Sequence, residues 1–369
     1  MRELFVIRAS SFIRHSSFVI RHFFIVSITY LEAIREAQAK LLRDDDRVFI
    51  YGQDVGGAFG GAFKATKGLA KEFPGRVLNT PISEDAIVGT AIGAAMQGMR
   101  PIVEMQFADF SSIALNQILN NAGTHYWRTG VPVPITVRLP SGGTKGSGPF
   151  HSQSMESLYA HYPGLIVMTP ATVEDAYTML IEAVAIDDPV VYCEHKYLYY
   201  HLKADKLPDK GLPTGEARIA REGRDLTIVS YSAMTQESLA AAEELAREGL
   251  EVEIVDLRTV KPLDTDTVLA SVARTAACFA SVNHFPGAAR PRRSSHGSPA
   301  RAFICSMPRL NVSTRKTRQF RIIQISGARI GRTRKTLSQK RGRYFENKNL
   351  CRKSRSSCPS LANQSPKPP

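Results

Sequence analysis

The stretch Asn79–Phe110, NTPISEDAIVGTAIGAAMQGMRPIVEMQFADF, decides the fold. It opens at the end of a short strand-like segment, VLNTP. A run rich in Ala and Gly follows over 84–98, and RPIVEMQF then reads as an extended Val/Ile strand. A helix that is apolar all round is a buried one, and a strand apolar on both faces belongs to a sheet covered on both sides. Strand, helix, strand in this order is one unit of a parallel α/β sheet. Glu84 stands at the join. Ser83 is placed to cap the helix, and the macrodipole favours a carboxylate in a first turn, so on local grounds a capping role accounts for Glu84.

Working outward, the same alternation repeats. Helix 30–43 precedes strand VFIYGQD and the loop GGAFGGAF. Helix 111–127 precedes PITVRL, the loop PSGGTKGSGPFHSQS and strand LIVMTP, and helix 172–186, with Glu174 and Asp175 at its start, leads into PVVYCEH. Thr29 and Glu32 have the spacing of a capping box ahead of the first helix. The pattern predicts one α/β domain over 28–200, a polar linker over 201–224, and a second α/β unit over 225–276. That unit is made of DLTIVSYS, helix 235–249, VEIVDLRTV and helix 265–273, and it stops before its core is closed.

The ends differ from the middle. Residues 1–27 hold a crude repeat (FVIRASS, FIRHSS, FVIRHFF) in which Arg or His breaks every apolar run, which excludes a signal-peptide core. It reads as a leader outside the fold: translated upstream sequence, or else an Arg- and Ser-rich transit peptide. Of the 48 Lys and Arg and 34 Asp and Glu, 21 and one respectively lie in 288–369. The formal charge of +14 therefore resides in the tail, and the body is mildly acidic. The tail, 277–369, has no periodicity and no aromatic interleaving and reads as disordered rather than as a nucleic-acid-recognition segment. When the third base of each codon is joined to the first two of the next, Ala276–Arg309 can be read as strand, GG turn, amphipathic helix and strand, and the Met307–Pro308 junction forces Ala. A frameshift would thus supply the missing half of the second unit. The five cysteines, Cys193, Cys278, Cys305, Cys351 and Cys358, form no CxxC pair and read as reduced thiols. No apolar run has the length of a membrane span, so the chain is expected to be soluble.

Several motifs in order, TPISEDAIVGTAIGAAMQGMRPIVEMQFADF, PFHSQS, PGLIVMTPATVEDA and VDLRTVKPLD, resemble the beta subunit of the thiamine-diphosphate-dependent decarboxylase of 2-oxo acid dehydrogenase complexes. The resemblance covers about 28–275. QFADF and EHKYLY are most similar to the branched-chain (2-oxoisovalerate) type, with the pyruvate and acetoin types next. It implies a pyrimidine-type thiamine-diphosphate-binding parallel sheet with helices on both faces, followed by an incomplete transketolase C-terminal-like α/β domain.

The resemblance also implies roles. Glu84, in the ISE motif, would hydrogen-bond a ring nitrogen of the cofactor's aminopyrimidine and so promote loss of the thiazolium proton, a general-base relay suited to a carboxylate mounted on a packed helix. Phe110 would pack against the aminopyrimidine, Gln106 would line the same site, and Ile82 would give a backbone contact. His151, on a glycine-rich loop that lacks the Lys-Ser/Thr of a phosphate-binding loop, would assist substrate binding and acyl transfer. Backbone carbonyls at Ile135, Ala183, Val184, Ile186 and Asp188 would hold a monovalent cation such as K⁺. The family's Mg²⁺- and diphosphate-binding motif is missing here and belongs to an alpha subunit, so an α₂β₂ heterotetramer with the site between subunits is expected, followed by a lipoyl acyltransferase. A bacterial cytoplasm is the expected compartment, or the mitochondrial matrix if the leader is a transit peptide. Two rival readings remain: an assembly-defective remnant, and a nucleic-acid-binding protein based on the tail alone.

Overall fold

The computed structural model describes residues 27–144 and 146–275 in full, with the backbone of three further strands at 278–282, 301–305 and 322–325. The leader before Ser27 lies outside the described residues, as does the tail beyond those strands, including most of the segment read in the shifted frame.

The first domain runs through β1 (Ile28–Thr29), α1 (Tyr30–Asp44), β2 (Val48–Gly52), α2 (Leu69–Glu72), β3 (Val77–Asn79), α3 (Glu84–Met96) and β4 (Arg100–Glu104). A 3₁₀ turn (Ala108–Ser112), a π-helical stretch (Gln117–Ala122) and α4 (His125–Thr129) lead to β5 (Thr136–Ser141). There follow a 3₁₀ turn (Pro149–His151), α5 (Glu156–His161), β6 (Ile166–Met168), α6 (Val173–Ala185), β7 (Val190–His195), α7 (Leu198–His201) and β8 (Lys203–Ala204). The second unit holds β9 (Arg218–Arg221), β10 (Leu226–Ser230), α8 (Ala233–Arg247), β11 (Val252–Asp256), β12 (Thr259–Lys261) and α9 (Thr265–Thr275), then β13 (Cys278–Val282), β14 (Arg301–Cys305) and β15 (Ile322–Ile325).

The main sheet has the order β12-β6-β7-β5-β4-β2-β3, parallel throughout except for β12, which comes from the second unit and pairs antiparallel with β6. Its strands alternate their side chains between two cores, as a sheet covered on both faces requires. Ile102, Val190 and Tyr192 join α1 and α6 on one face, while Val103, Val191 and Cys193 join α3 and the π-helical stretch on the other. Thr29 and Glu32 form the expected capping box on α1.

Three expectations need correction. Ser83 gives α3 no side-chain cap; only its carbonyl engages the helix, accepting from the Ile87 amide at 2.9 Å, and the carboxylates of Glu84 and Asp85 face the positive helix end instead. Nor is α3 buried all round: Ala86, Thr90, Gly93 and Met96 form an open face one helical repeat apart. The helix expected over 111–127 is instead a broken run of 3₁₀, π and α turns. Asn116, Asn120, Asn121 and Gly123 are weak helix formers, and the Asn side chains bond along the chain, Asn121 to Gln117 at 2.6 Å and Asn120 to Asn116 at 3.0 Å.

The second sheet has the order β15-β14-β13-β10-β11-β9. It begins within the segment read as linker, because β9 pairs antiparallel with β11, and it continues past residue 276, because β13 lies parallel beside β10. Its apolar clusters are small, Ile228, Ala242, Val252 and Ile254 on one side and Val229, Tyr231, Val255 and Leu257 on the other. Hydroxyl contacts fill part of the space: Thr227 Oγ1 meets Ser271 Oγ at 2.8 Å and Thr275 Oγ1 at 2.7 Å. Polar ties join the two units. Arg258 donates to Asp175 Oδ1 at 3.0 Å, and Arg218 bridges Asp175 and Asp256 at 2.6 Å each.

Candidate active site

Parallel strands deliver functional side chains at their carboxyl ends, where the loops leave the sheet. The loops after β2, β3, β4 and β5 carry Gln53, Ile82 to Glu84, Gln106 to Phe110, and His151.

Glu84 is buried, with 6% of its surface exposed. Gln53 Nε2 donates to its Oε1 at 3.0 Å, and Oε2 accepts no hydrogen bond from the described residues. One oxygen is thus fixed and the other left open. The neighbouring Asp85 accepts from Gln117 Nε2 at 3.0 Å, which ties the start of α3 to the π-helical stretch. Asp54, next to Gln53 and held at a left-handed φ of 56°, accepts from Gln106 Nε2 at 3.3 Å. The carboxylate and the QFADF segment are therefore linked through two adjacent residues at the end of β2.

Beside Gln106 stands an aromatic wall. Phe107 lies edge-to-face with His151 at 4.4 Å, with Phe110 at 5.5 Å and with Phe63 at 5.2 Å, and Phe110 meets His151 at 5.5 Å. Edge-to-face packing directs the positive ring edge at a neighbour's electron-rich face and so fixes ring orientation. The His151 loop has its own anchor. Asp109 Oδ1 accepts the amides of Ser152 and Gln153, both at 3.1 Å, while its buried Oδ2 has no partner among the described residues. At the near end of the loop Gly142 adopts φ +76°, and a Cβ there would collide with the His195 imidazole.

Charge is buried beneath this wall. Arg138 lies between Glu104, at 2.5 Å, and Glu194, to which Tyr199 also donates at 2.9 Å. Burial opposes the guanidinium charge, but the two carboxylates outweigh it and hold the Arg138 pKa above its ordinary range. Burial pushes the Glu104 carboxyl up, against the pull of Arg138. Lys196 Nζ sits 5.3 Å from the Phe107 ring centre and donates to the Pro140 carbonyl at 3.1 Å. Burial pulls its pKa down to about 8 despite Asp109, Glu156 and Glu194. His195 is pulled down to about 3 by burial and by the Lys196 charge, so it is a neutral imidazole.

Of the expected site residues, the fold brings Glu84, Gln106, Phe110 and His151 into one run of contacts. Ile82 is 83% exposed, and the contact expected of it is one made by its backbone. The residues expected to hold a cation lie elsewhere, at the amino ends of β5 and β7 and the end of α6, on the opposite edge of the sheet. There the Val184 and Ile186 carbonyls accept from Arg100 Nη1 at 2.8 and 3.1 Å, and the Ile135 carbonyl accepts from the Val190 amide at 2.9 Å. A carbonyl oxygen has two lone pairs, so each of these three can take a second partner beside the hydrogen bond it accepts. Sequence reading missed Gln53, Phe107, Asp109 and Lys196. Phe107 and Asp109 stand inside the QFADF motif, and their neighbours had drawn the attention; Gln53 and Lys196 gain meaning only from contacts across the sheet.

Residues 26–201 match the model of the transketolase pyrimidine-binding domain, and residues 215–288 that of the transketolase C-terminal domain. The 2-oxoisovalerate dehydrogenase subunit beta of Bacillus subtilis (strain 168) is 44% identical over 252 residues, covering 67% of this chain and 77% of that subunit. The pyruvate dehydrogenase E1 component subunit beta of Staphylococcus epidermidis (strain ATCC 12228 / FDA PCI 1200) is 41% identical over 253 residues, with the same coverage. Among solved structures, a chain described as split gene transketolase, inactive beta4 tetramer, superposes with a TM-score of 0.58 at 25% identity, covering 68% of this chain and 78% of that one.

Proposed function

Since this chain belongs to the family of 2-oxo acid dehydrogenase beta subunits, we propose that it is the pyrimidine-binding half of a thiamine-diphosphate-dependent decarboxylase that acts on branched-chain 2-oxo acids, 2-oxoisovalerate first, and passes the acyl group to lipoamide. One observation carries the reading of the site. A buried carboxylate, Glu84, keeps one oxygen bonded to Gln53 and leaves the other without a donor among the described residues, while Asp54, next to Gln53, bonds Gln106 of the segment that carries the aromatic wall. A carboxylate fixed through one oxygen can accept a ligand donor at the other, and an aminopyrimidine ring nitrogen bearing a proton is such a donor. The residues present therefore fit that end of the cofactor.

When bound, thiamine diphosphate supplies the carbon nucleophile for attack on the 2-oxo group. Glu84 accepts and holds the proton at Oε2, with Gln53 keeping the carboxylate plane in place. Phe110 and Phe107 cover the site and exclude water. His151, packed edge-to-face on both rings and with its loop tethered through Asp109, offers an imidazole to the substrate and to the acyl-transfer step. Excluding water strengthens each of these polar contacts.

The diphosphate end needs Mg²⁺, which the alpha subunit of an α₂β₂ assembly brings. Among the described residues no cluster of three or more His, Cys, Asp or Glu could hold a metal. The exposed Ile82, Phe150 and open face of α3 beside Glu84 support a site completed by that subunit, with a lipoyl acyltransferase as the next carrier. A bacterial cytoplasm is the compartment proposed for this assembly. Pyruvate is the second candidate substrate, because the pyruvate-type relative is nearly as similar as the 2-oxoisovalerate type. The test is co-purification with an alpha subunit and comparison of kcat/KM for the two acids. A preference for 2-oxoisovalerate is expected, and tenfold preference for pyruvate would reverse the assignment.

A further inference from the structure

Lysine is rarely buried, because its ammonium gives up water that an apolar interior cannot replace. This chain buries one beneath the wall that carries His151. Lys196 follows the last residue of β7 and has 4% of its surface exposed. Both of its nitrogens reach the end of β5, from which the His151 loop departs: the amide donates to the Ser141 carbonyl at 3.1 Å, and Nζ to the Pro140 carbonyl at the same distance. Nζ also stands 5.3 Å from the centre of the Phe107 ring. Three carboxylates attract its charge, Asp109 from the turn after β4 most strongly, then Glu156 at the start of α5 and Glu194 on β7, while the adjoining His195 imidazole is neutral. Glu194 is committed to Arg138 and Tyr199, and Glu156 to the Ser141 hydroxyl. Of the three, only Asp109 has a buried oxygen, Oδ2, that no described residue meets.

The groups around this ammonium are the ones that place His151. Phe107 touches the imidazole at 4.4 Å, and Asp109 Oδ1 holds the amides of the next two residues, Ser152 and Gln153. The Gly142 amide, next to Ser141, donates to the Gln153 carbonyl at 2.9 Å and closes the base of the loop. A cation beside an aromatic ring and a buried carboxylate attracts both, and bonds accepted by an ionised group are roughly twice as strong as neutral ones. We propose that Lys196 is a positioning residue for His151, acting by its charge through Phe107, Asp109 and the end of β5. The effect on turnover rests on the function proposed above, whereas the order of the loop is a property of the chain by itself. Burial draws the Lys196 pKa down to about 8, so the charge is present below that pH and lost above it. Loop order follows the charge and weakens as pH rises. The fold as a whole gains stability over the same range, because the unfolded chain holds the proton more tightly, so loop and core move in opposite directions.

The test is amide hydrogen exchange at Ser152 and Gln153 in the full chain, normalised to the intrinsic rate at each pH. Between pH 7 and 9 the wild type is expected to lose about tenfold in protection at these two amides, the scale of coupling within one charged network, while β4 and β5 stay protected. At pH 7 Lys196→Met should already show that loss and no further change with pH, and Lys196→Arg, which keeps the charge, should recover most of it. Added to Asp109→Ala, Lys196→Met should cost less than about threefold more, because both act on the same two amides. In the assembled enzyme kcat should fall above pH 8 in the wild type, and Lys196→Arg should move that limb to higher pH. Wild-type protection at Ser152 and Gln153 that changes by less than about threefold between pH 7 and 9, or that falls equally in β4 and β5, overturns the proposal. That arm needs no variant to fold. A loop that responds as expected supports the role of Lys196 even where the assembled enzyme shows no turnover, an outcome that counts against the function alone.

Discussion

Replacing Asp109 with alanine should loosen the His151 loop and leave the sheet beneath it unchanged. Asp109 Oδ1 receives two backbone amides, from Ser152 and Gln153, each at 3.1 Å, and the residue is 5% exposed. A hydrogen bond to a charged group contributes about 1.5 kcal/mol net, so two contribute about 3 kcal/mol if water replaces neither and about 2 kcal/mol if it partly does. At about 1.4 kcal/mol per factor of ten, loop opening becomes about 30- to 140-fold easier. Amide hydrogen exchange reads this directly: the Ser152 and Gln153 amides should exchange about 30-fold faster or more in Asp109→Ala, while those of β4 and β5 stay protected. Asp109→Asn, whose carbonyl oxygen can still accept both amides, should keep most of the protection. Exchange at the two amides that changes by less than threefold in the alanine variant would refute the anchoring role.

The buried charges and the aromatic wall give three further predictions. Arg138→Met leaves Glu104 and Glu194 without their cation and should cost about 3–5 kcal/mol in urea unfolding, whereas a triple apolar replacement should cost less. Lys196 has a folded pKa of about 8, below the ordinary lysine value, so the unfolded chain holds its proton to higher pH. Stability should therefore rise between pH 8 and 10 by about 2 kcal/mol, and Lys196→Met should remove that slope, as paired urea titrations across the range would show. Phe107→Ala removes a half-buried ring that touches Phe63, Phe110 and His151; it should cost about 2–3 kcal/mol and lower decarboxylation by the assembled enzyme more than it lowers cofactor affinity.

The parts of the fold that rest on local pattern were legible. Doubly apolar strands such as RPIVEMQF and PVVYCEH announced a covered parallel sheet, and the Thr29/Glu32 spacing announced the first helix. What rests on balance or distance was hidden. Ser83 has the right chemistry for a cap, yet it lies outside the helix in a conformation that turns its hydroxyl away. Residues 111–127 have helical apolar spacing, but the Asn side chains and Gly123 tip the backbone into π and 3₁₀ turns. The open face of α3 carries residues as small as its buried face, so periodicity could not separate the two. Within the site, Glu84, Gln106, Phe110 and His151 were named through motifs. Gln53 and Asp109 act through contacts formed between loops of different strands. Arg100 reads as an ordinary strand-opening basic residue until the fold sets it against the end of α6.

The central claim is that Glu84 serves a thiamine-diphosphate site completed by a second subunit, and Glu84→Gln tests it with least disturbance. The substituted amide keeps a carbonyl oxygen able to accept from Gln53, so the variant should fold and assemble as the wild type does. The measurement is 2-oxoisovalerate decarboxylation by the chain purified with an alpha subunit, beside the chain alone. The account predicts turnover by the pair, a loss of about 100-fold or more in Glu84→Gln, and no turnover by the isolated chain. Wild-type turnover by the Glu84→Gln pair, or turnover without a partner, would contradict it.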